Sequence, residues 1–324
     1  MRMTHRAGWF LVLLVVSLGL SVVASAEAGA AGDVPLVEAV KASDTAAVRA
    51  LLEQQVDVNM PEVDGTTALH WAAYQGDLEA ARLLLRAGAN ADAPNRYAVT
   101  PLALASGRGN APIVEALLDA GADANTTLPE GETVLMAAAR SGNVDVLRLL
   151  VAHGADVGAR EGWRGQTALM WAAAENHPAA VHTLIELGAT VTERSSAGWT
   201  ALLFAVRAGK AEAVHALLEA GAGVNDTIQP LASDVEEASG PSRRRGGPDG
   251  TSALVIAVTN AHFSLATYLV ERGADPNADE QGWTALHQLA YTRRPNSGKG
   301  MPPVPLLDSL DTLAFAQFLL ENGA

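Results

Sequence analysis

Two short patterns return along this chain at a nearly constant interval, and that interval limits the fold more than any single motif does. The first is a hydroxyl residue ahead of a small or apolar residue and Leu. Thr67-Ala68-Leu69, Thr100-Pro101-Leu102, Thr133-Val134-Leu135, Thr167-Ala168-Leu169 and Thr200-Ala201-Leu202 lie 33, 33, 34 and 33 residues apart. Ser252-Ala253-Leu254 and Thr284-Ala285-Leu286 continue the series after 52 and 32 residues. The second pattern is Gly-Ala, at Gly88, Gly121, Gly154, Gly188, Gly221, Gly273 and Gly323. Two independent markers on one beat describe an array of repeated supersecondary units. A unit this small cannot bury an apolar face alone, so neighbours must stack into one continuous core.

The residues inside one period predict two short helices. Thr67 is placed to cap a helix start, and Ala68 to Gln75 is short and alanine-rich, suited to close packing between neighbours. Gly76-Asp77 ends that helix and caps the next. Leu78 to Ala87 puts Leu78, Ala81, Leu84 and Leu85 on one face and Glu79, Arg82 and Arg86 elsewhere. Gly88 suits the left-handed turn that closes a helix. Asn90 to Ala98 is polar and turn-prone, and it predicts an extended finger reaching to the next unit.

On these residues the chain resembles the ankyrin repeat proteins. The family pattern Thr-Pro-Leu-His-x-Ala is written here as Thr67-Ala68-Leu69-His70-Trp71-Ala72, with weaker copies in the other units. The resemblance covers about residues 36–324 and implies an all-α solenoid of stacked helix-turn-helix units joined by β-hairpin-like fingers. Residues 27–64 read as a linker and an N-terminal capping repeat, which lacks a finger and the capping Thr. Residues 65–228 hold five units and residues 250–324 two more.

The 52-residue interval holds 19 extra residues in the finger after Gly221-Ala222, and 229–249, rich in Pro, Gly and Ser, reads as a flexible insertion. Its Arg243-Arg244-Arg245 triplet reads as a solvated charge run rather than a docking site. The last unit carries 18 extra residues near 293–310, between its two helices. Glu321-Asn322-Gly323-Ala324 stops where every earlier unit begins its finger, so further units or another module are expected beyond it.

Residues 1–26 read as a secretory signal: Arg2 and Arg6, a charge-free run from Trp9 to Val23, then Ala24-Ser25-Ala26 ahead of Glu27. An uncleaved anchor is the other reading, but the run is short against the roughly 20 apolar residues of a span. Cysteine is absent, which excludes disulfides, thiolate metal sites, cysteine nucleophiles and c-type haem attachment. The expectation is an exported, periplasmic monomer with no stable membrane insertion after cleavage, an extracellular location being the alternative. In a eukaryotic secretory pathway, Asn125-Thr126-Thr127 and Asn225-Asp226-Thr227 would be glycosylation sequons. The net charge of −14 argues against nucleic acid as a partner, because displacing phosphate counterions needs a basic face.

Catalytic and metal motifs are missing from the sequence. The eight histidines include no His-Glu-x-x-His pair. The resemblance implies that His70 and His287 support backbone hydrogen bonds between units, while His177 and His262 sit where second helices begin. Gly209-Lys210 and Gly298-Lys299 lack the hydroxyl residue of a phosphate loop, and no Gly-x-Ser-x-Gly elbow occurs. No cofactor is expected, and the chain reads as a non-enzyme.

What remains is a surface. The resemblance implies a concave groove lined by fingers and by the exposed ends of first helices, where partner proteins dock. Carried over by position, the fingers contribute Arg96, Tyr97, Val99, Glu130, Glu132, Trp163, Arg164, Gln166, Trp199 and Trp283. The first-helix ends contribute Tyr74, Gln75, Arg108, Arg140, Glu175, Arg207 and Tyr291. Trp, Tyr and Arg are the side chains that most often anchor interfaces. Trp199 and Trp283 are open to two readings, as anchors or as packing between fingers, whereas Trp71 and Trp171 read as core. The function expected is an exported scaffold or adaptor that binds one or more proteins. Two alternatives are the recognition arm of a larger enzyme or electron-transfer protein, with its active module beyond Ala324, and a structural envelope component.

Overall fold

The computed structural model describes residues 34–229, 250–278, 283–292 and 310–324. The signal reading of residues 1–26, the bulk of the two insertions and the Arg243-Arg244-Arg245 triplet lie outside them. The described residues belong to one compact unit, Val34–Ala324.

Among the described residues, sixteen short helices follow one another in pairs. The first pair is α1 (Pro35–Lys41) and α2 (Thr45–Glu53), followed by α3 (Ala68–Gln75) with α4 (Leu78–Arg86) and α5 (Pro101–Gly107) with α6 (Ala111–Asp119). Next come α7 (Val134–Ser141) with α8 (Val144–Ala152), α9 (Ala168–Ala174) with α10 (Pro178–Glu186), and α11 (Ala201–Arg207) with α12 (Ala211–Glu219). The last pairs are α13 (Ala253–Thr259) with α14 (Phe263–Glu271) and α15 (Ala285–Thr292) with α16 (Thr312–Glu321). Each first helix packs on the first helices before and after it, so α1, α3, α5, α7, α9, α11, α13 and α15 form one row. The second helices from α2 to α12 form another.

Local chemistry sets the helix boundaries. The repeated hydroxyl residue accepts a backbone N–H of the first turn, at Thr100 (3.2 Å), Thr133 (3.2 Å), Thr200 (3.4 Å) and Ser252 (3.3 Å). Asp77 does the same for α4 at 2.9 Å, and Asn143 for α8 at 3.0 Å. Ala87 is the C-cap of α4 rather than its last helical residue. The apolar stripe then meets the core: Ala81, Leu84, Leu117, Leu150, Leu184 and Leu217 are fully buried. A buried aliphatic side chain of this size contributes roughly 1.5–3 kcal/mol.

His70 ties one unit to the next. The Thr67 N–H donates to its Nδ1 at 3.1 Å, and the Thr67 hydroxyl is 2.8 Å from the same atom. Nδ1 therefore accepts, the ring proton sits on Nε2, and Nε2 donates to the Val99 carbonyl at 3.0 Å. Burial lowers the His70 pKa, so the imidazole stays neutral at neutral pH. His177 and His262 reach back to the Arg140 and Arg207 carbonyls at 2.9 and 3.4 Å. Each is the N-cap residue of its helix, but neither side chain bonds that helix's own N–H groups.

The fingers turn back on themselves through pairs of main-chain bonds, such as Asn95 N–H to Val99 C=O (3.0 Å) with Ala98 N–H to Asn95 C=O (2.9 Å), and Ser195 N–H to Trp199 C=O (2.9 Å) with Gly198 N–H to Ser195 C=O (2.8 Å). Among the described residues they form only isolated antiparallel bridges, Thr127 with Thr133 and Thr227 with Ser252. The capping pair, expected to lack a finger, is followed directly by one: Glu62 N–H donates to Thr66 C=O at 2.8 Å. Successive fingers are then linked main chain to main chain, Arg96 to Asp64 (2.7 Å), Gly162 to Glu130 (3.1 Å) and Ser196 to Arg164 (2.8 Å).

Candidate functional site

The fingers and the ends of the first helices share one side of the array, and the sequence places cationic and aromatic residues there in alternation. The structure brings them together in pairs. The Arg108 guanidinium lies 4.0 Å from the Tyr74 ring centroid, and Arg164 lies 4.2 Å from Trp163. Arg207 lies 4.8 Å from Trp199 and 5.4 Å from Phe204, whose rings pack at 5.5 Å. Trp283 meets Tyr291 edge to face at 5.6 Å. Such cation–ring contacts hold a guanidinium over a face while leaving its N–H groups free to bond.

Exposure marks the same side. Eight large apolar side chains are exposed among the described residues, and six of them are on fingers or first-helix ends: Met60, Val63, Tyr97, Trp163, Trp283 and Tyr291. Trp163 is 70% exposed, an expensive position for indole unless something covers it.

Other residues expected here turn out to be spent on folding. Gln166 is buried, against its assignment to an exposed finger surface. Its main chain is tied to Glu161, whose buried carboxylate accepts the N–H groups of Trp163 (2.7 Å), Arg164 (2.7 Å) and Gln166 (3.1 Å). The Arg96 guanidinium donates to the Val63 carbonyl of the preceding finger, and Gln75 donates to the Lys41 carbonyl at 2.9 Å. Val99 packs half-buried against the core, and its carbonyl receives His70. Glu132 and Arg140 pair at 3.6 Å, mostly out of solvent, and burial raises the Glu132 pKa despite the attraction of Arg140. Glu130 and Glu175 are exposed.

Trp171 is core, as its position predicts, but Trp71 is half-buried. Its indole N–H donates to Glu62 at 2.7 Å, and the Lys41 ammonium lies 4.9 Å from the ring centroid and 2.6 Å from Glu62. Residues that sequence reasoning missed on this side are therefore Lys41, Glu62, Trp71, Phe204 and the finger staple Arg194. Arg194 donates to the Gly198 and Thr227 carbonyls at 2.9 and 2.7 Å. Of these, only the aromatic residues carried a signal in the sequence; the charged ones look like any solvated charge.

A cavity of about 290 Å³ opens between Trp199 and Trp283, with Arg207, Val255, Ile256 and Gln288 in its walls. The residue before each capping hydroxyl is Trp199 in one unit and Trp283 two units later, but the smaller Thr251 in the unit between them. That exchange leaves the space open. Among the described residues no three His, Asp or Glu side chains come together to hold a metal ion, and no helix is long and apolar enough to cross a membrane.

Family models of ankyrin repeats match residues 13–95, 88–161 and 159–228, and a further ankyrin repeat matches 249–280. Among solved structures, the human ASB11 ankyrin repeat domain superposes with a TM-score of 0.62 at 27% identity, covering 75% of this chain and 99% of that one. The ankyrin repeat domain of Bcl-3, a member of the IkappaB protein family, gives a TM-score of 0.55 at 28% identity, covering 61% and 91%. No curated protein sequence matches.

Proposed function

This chain belongs to the ankyrin repeat family, and from that premise we propose that it is a scaffold that works by recognition and not by catalysis, taking its partner on the side lined by fingers and first-helix ends. Ankyrin repeats are protein–protein interaction modules. The observation that carries the reading is the concentration of exposed large apolar side chains, above all Trp163 and Trp283, on that one side. Interfaces draw most of their affinity from a few Trp, Tyr and Arg anchors in prepared surroundings, and here cation–ring pairs prepare them. The fingers are pinned to one another through the main chain, so binding demands little rearrangement.

The same proposal places the scaffold outside the cytoplasm, in the periplasm, on the strength of Arg2 and Arg6, the charge-free run and Ala24-Ser25-Ala26. Affinity capture from the exported fraction of the source organism tests both parts. The bait is the chain, and the control is Trp163→Ala/Trp199→Ala/Trp283→Ala. A protein retained by the first and lost by the second is the expected result. Equal recovery on both baits moves the binding side elsewhere, a mature protein that still begins at Met1 removes the cleavage reading, and recovery only in the cytoplasmic fraction removes the export reading.

A further inference from the structure

Two arginines on the finger side, Arg164 and Arg207, run against the charge of the chain as a whole. The protein is acidic, with a net charge of −14, yet among the described residues no carboxylate lies within ion-pair distance of Arg164 or Arg207. Two acidic side chains on this side are committed, Glu161 to three main-chain N–H groups and Glu132 to Arg140, while Glu130 and Glu175 stay exposed without pairing either arginine. Burial lowers the Arg207 pKa, and the charge that adds to this effect is the neighbouring Arg164, another cation. Two neighbouring guanidinium groups, each held on an aromatic face and unpaired with any carboxylate among the described residues, can take an anion, since a carboxylate accepts the paired N–H groups of Arg with little entropy lost.

Beside Arg207 lies the cavity of about 290 Å³, walled by Trp199 and Trp283 and floored by Val255 and Ile256. It is large enough for an aliphatic or aromatic side chain, and Arg207 is part of its lining. Resting on the scaffold reading above, we propose that this cavity receives an apolar side chain of an extended partner segment, whose neighbouring Asp or Glu carboxylates dock on Arg207 and Arg164. Fingers one layer apart are separated by about 8–10 Å. An extended chain advances roughly 3.3 Å per residue, so acids about three residues apart reach successive layers. Repulsion from the rest of the acidic chain is screened beyond roughly 8 Å at physiological salt. That favours a short acidic motif over a broadly acidic protein.

The test is selection of a phage-displayed library of random dodecapeptides on the full chain, followed by affinity measurement with the synthetic winners. The expected winners place Asp or Glu beside Leu, Ile, Val or Phe. Exchanging their acids for amides weakens binding about tenfold or more, and so does Arg207→Gln or Arg164→Gln, as for other charge pairs at interfaces. Arg86→Gln, at the far end of a second helix, leaves affinity unchanged, and circular dichroism melts confirm that each variant is folded. Winners that lack acids, or that ignore both arginine exchanges, overturn the proposal. If such winners are still lost in Trp163→Ala/Trp199→Ala/Trp283→Ala, the scaffold reading stands without it. A selection that returns no peptide dependent on these side chains overturns both.

Discussion

Asparagine clamps join successive units at the base of the fingers, and the row of clamps has gaps, one of which, at Gly158, can be repaired. Asn59 donates to the Gly88 carbonyl at 3.2 Å and accepts the Asn90 N–H at 2.7 Å. Asn125 does the same with Gly154 (2.9 Å) and Asp156 (2.9 Å), and Asn225 with Gly273 (3.3 Å) and Asp275 (2.9 Å). One repeat after Asn125 the position is Gly158, and the one after that is Thr192. The backbone at Gly158 is already set: its N–H donates to Asp156 Oδ1 at 2.9 Å, as Asn125 N–H does to Asp123 at 2.9 Å. A Cβ there would meet its nearest neighbour, Asp156 Oδ1, at 3.5 Å, an ordinary contact. Gly158→Asn should therefore clamp Gly188 C=O and Thr190 N–H. Two solvent-accessible hydrogen bonds contribute about 0.5 kcal/mol each at the low end. Removing a glycine from the unfolded chain adds about 0.4–1 kcal/mol, and ordering the Asn side chain takes back a comparable amount. The net is about 1 kcal/mol of stabilisation, or roughly 1–2 °C in melting temperature for a chain of this size. Urea unfolding gives the free energy, and hydrogen exchange at the Thr190 amide reports the new bond directly. An unchanged midpoint together with unprotected Thr190 would refute the reasoning, because it would mean the existing clamps are passengers of the stack.

Three further outcomes follow from the same geometry. Gly154 has φ 92°, and a Cβ added to it would meet nothing within 4 Å, so Gly154→Val brings backbone strain without a clash and should cost on the order of 1–3 kcal/mol; hydrogen exchange should rise first at residues 131–198, and no change there would count against nearest-neighbour coupling. Because the folded pKa of His70 lies below its ordinary value of 6.5, the unfolded chain binds the extra proton: the His70 contribution is full above about pH 6.5 and is lost as pH falls through the folded pKa. A His70→Gln variant should show a shallower loss of stability over that window in parallel urea titrations. Glu161→Ala strips an acceptor from three N–H groups and should destabilise by about 1–3 kcal/mol, broadening the Trp163 and Arg164 amide signals; a melt equal to wild type would show that water replaces the carboxylate.

Helix positions were legible because they rest on local chemistry repeated seven times. The span Ala68–Gln75 is matched residue for residue, since a capping Thr and a closing Gly bracket it. Surface assignments were less legible for a physical reason. A repeat predicts where a Cβ points on average, while the side chain's own reach decides what it touches. Gln166 occupies a finger position yet is buried, because Glu161 draws the main chain inward around it. Trp71 and Trp171 occupy equivalent positions, yet Trp71 is drawn out by Glu62 and Lys41 while Trp171 stays in the core. Those acidic and basic partners lie nine and thirty residues away in sequence, beyond the reach of any periodic pattern.

The division between folding and recognition follows from the same contrast. Positions that keep their identity through most of the array, such as the capping hydroxyl and the closing glycine, are those whose polar atoms are satisfied by their own helix or by the neighbouring unit. Their chemistry is used up by stacking, and they have nothing left to offer a partner. Positions that change identity are free of that duty. Thr66, Val99, Glu132, Gln166, Trp199, Thr251 and Trp283 all precede a capping residue; of these Trp283 is exposed, while Trp199 packs half-buried against Phe204. The small Thr251 between two of them turns a row of packed side chains into a cavity, and Arg207 supplies a charged wall. On the binding proposed above, specificity lies where the repeat is least regular, and filling the gap should remove it: Thr251→Trp is expected to abolish peptide binding at this site while leaving the helices on either side intact.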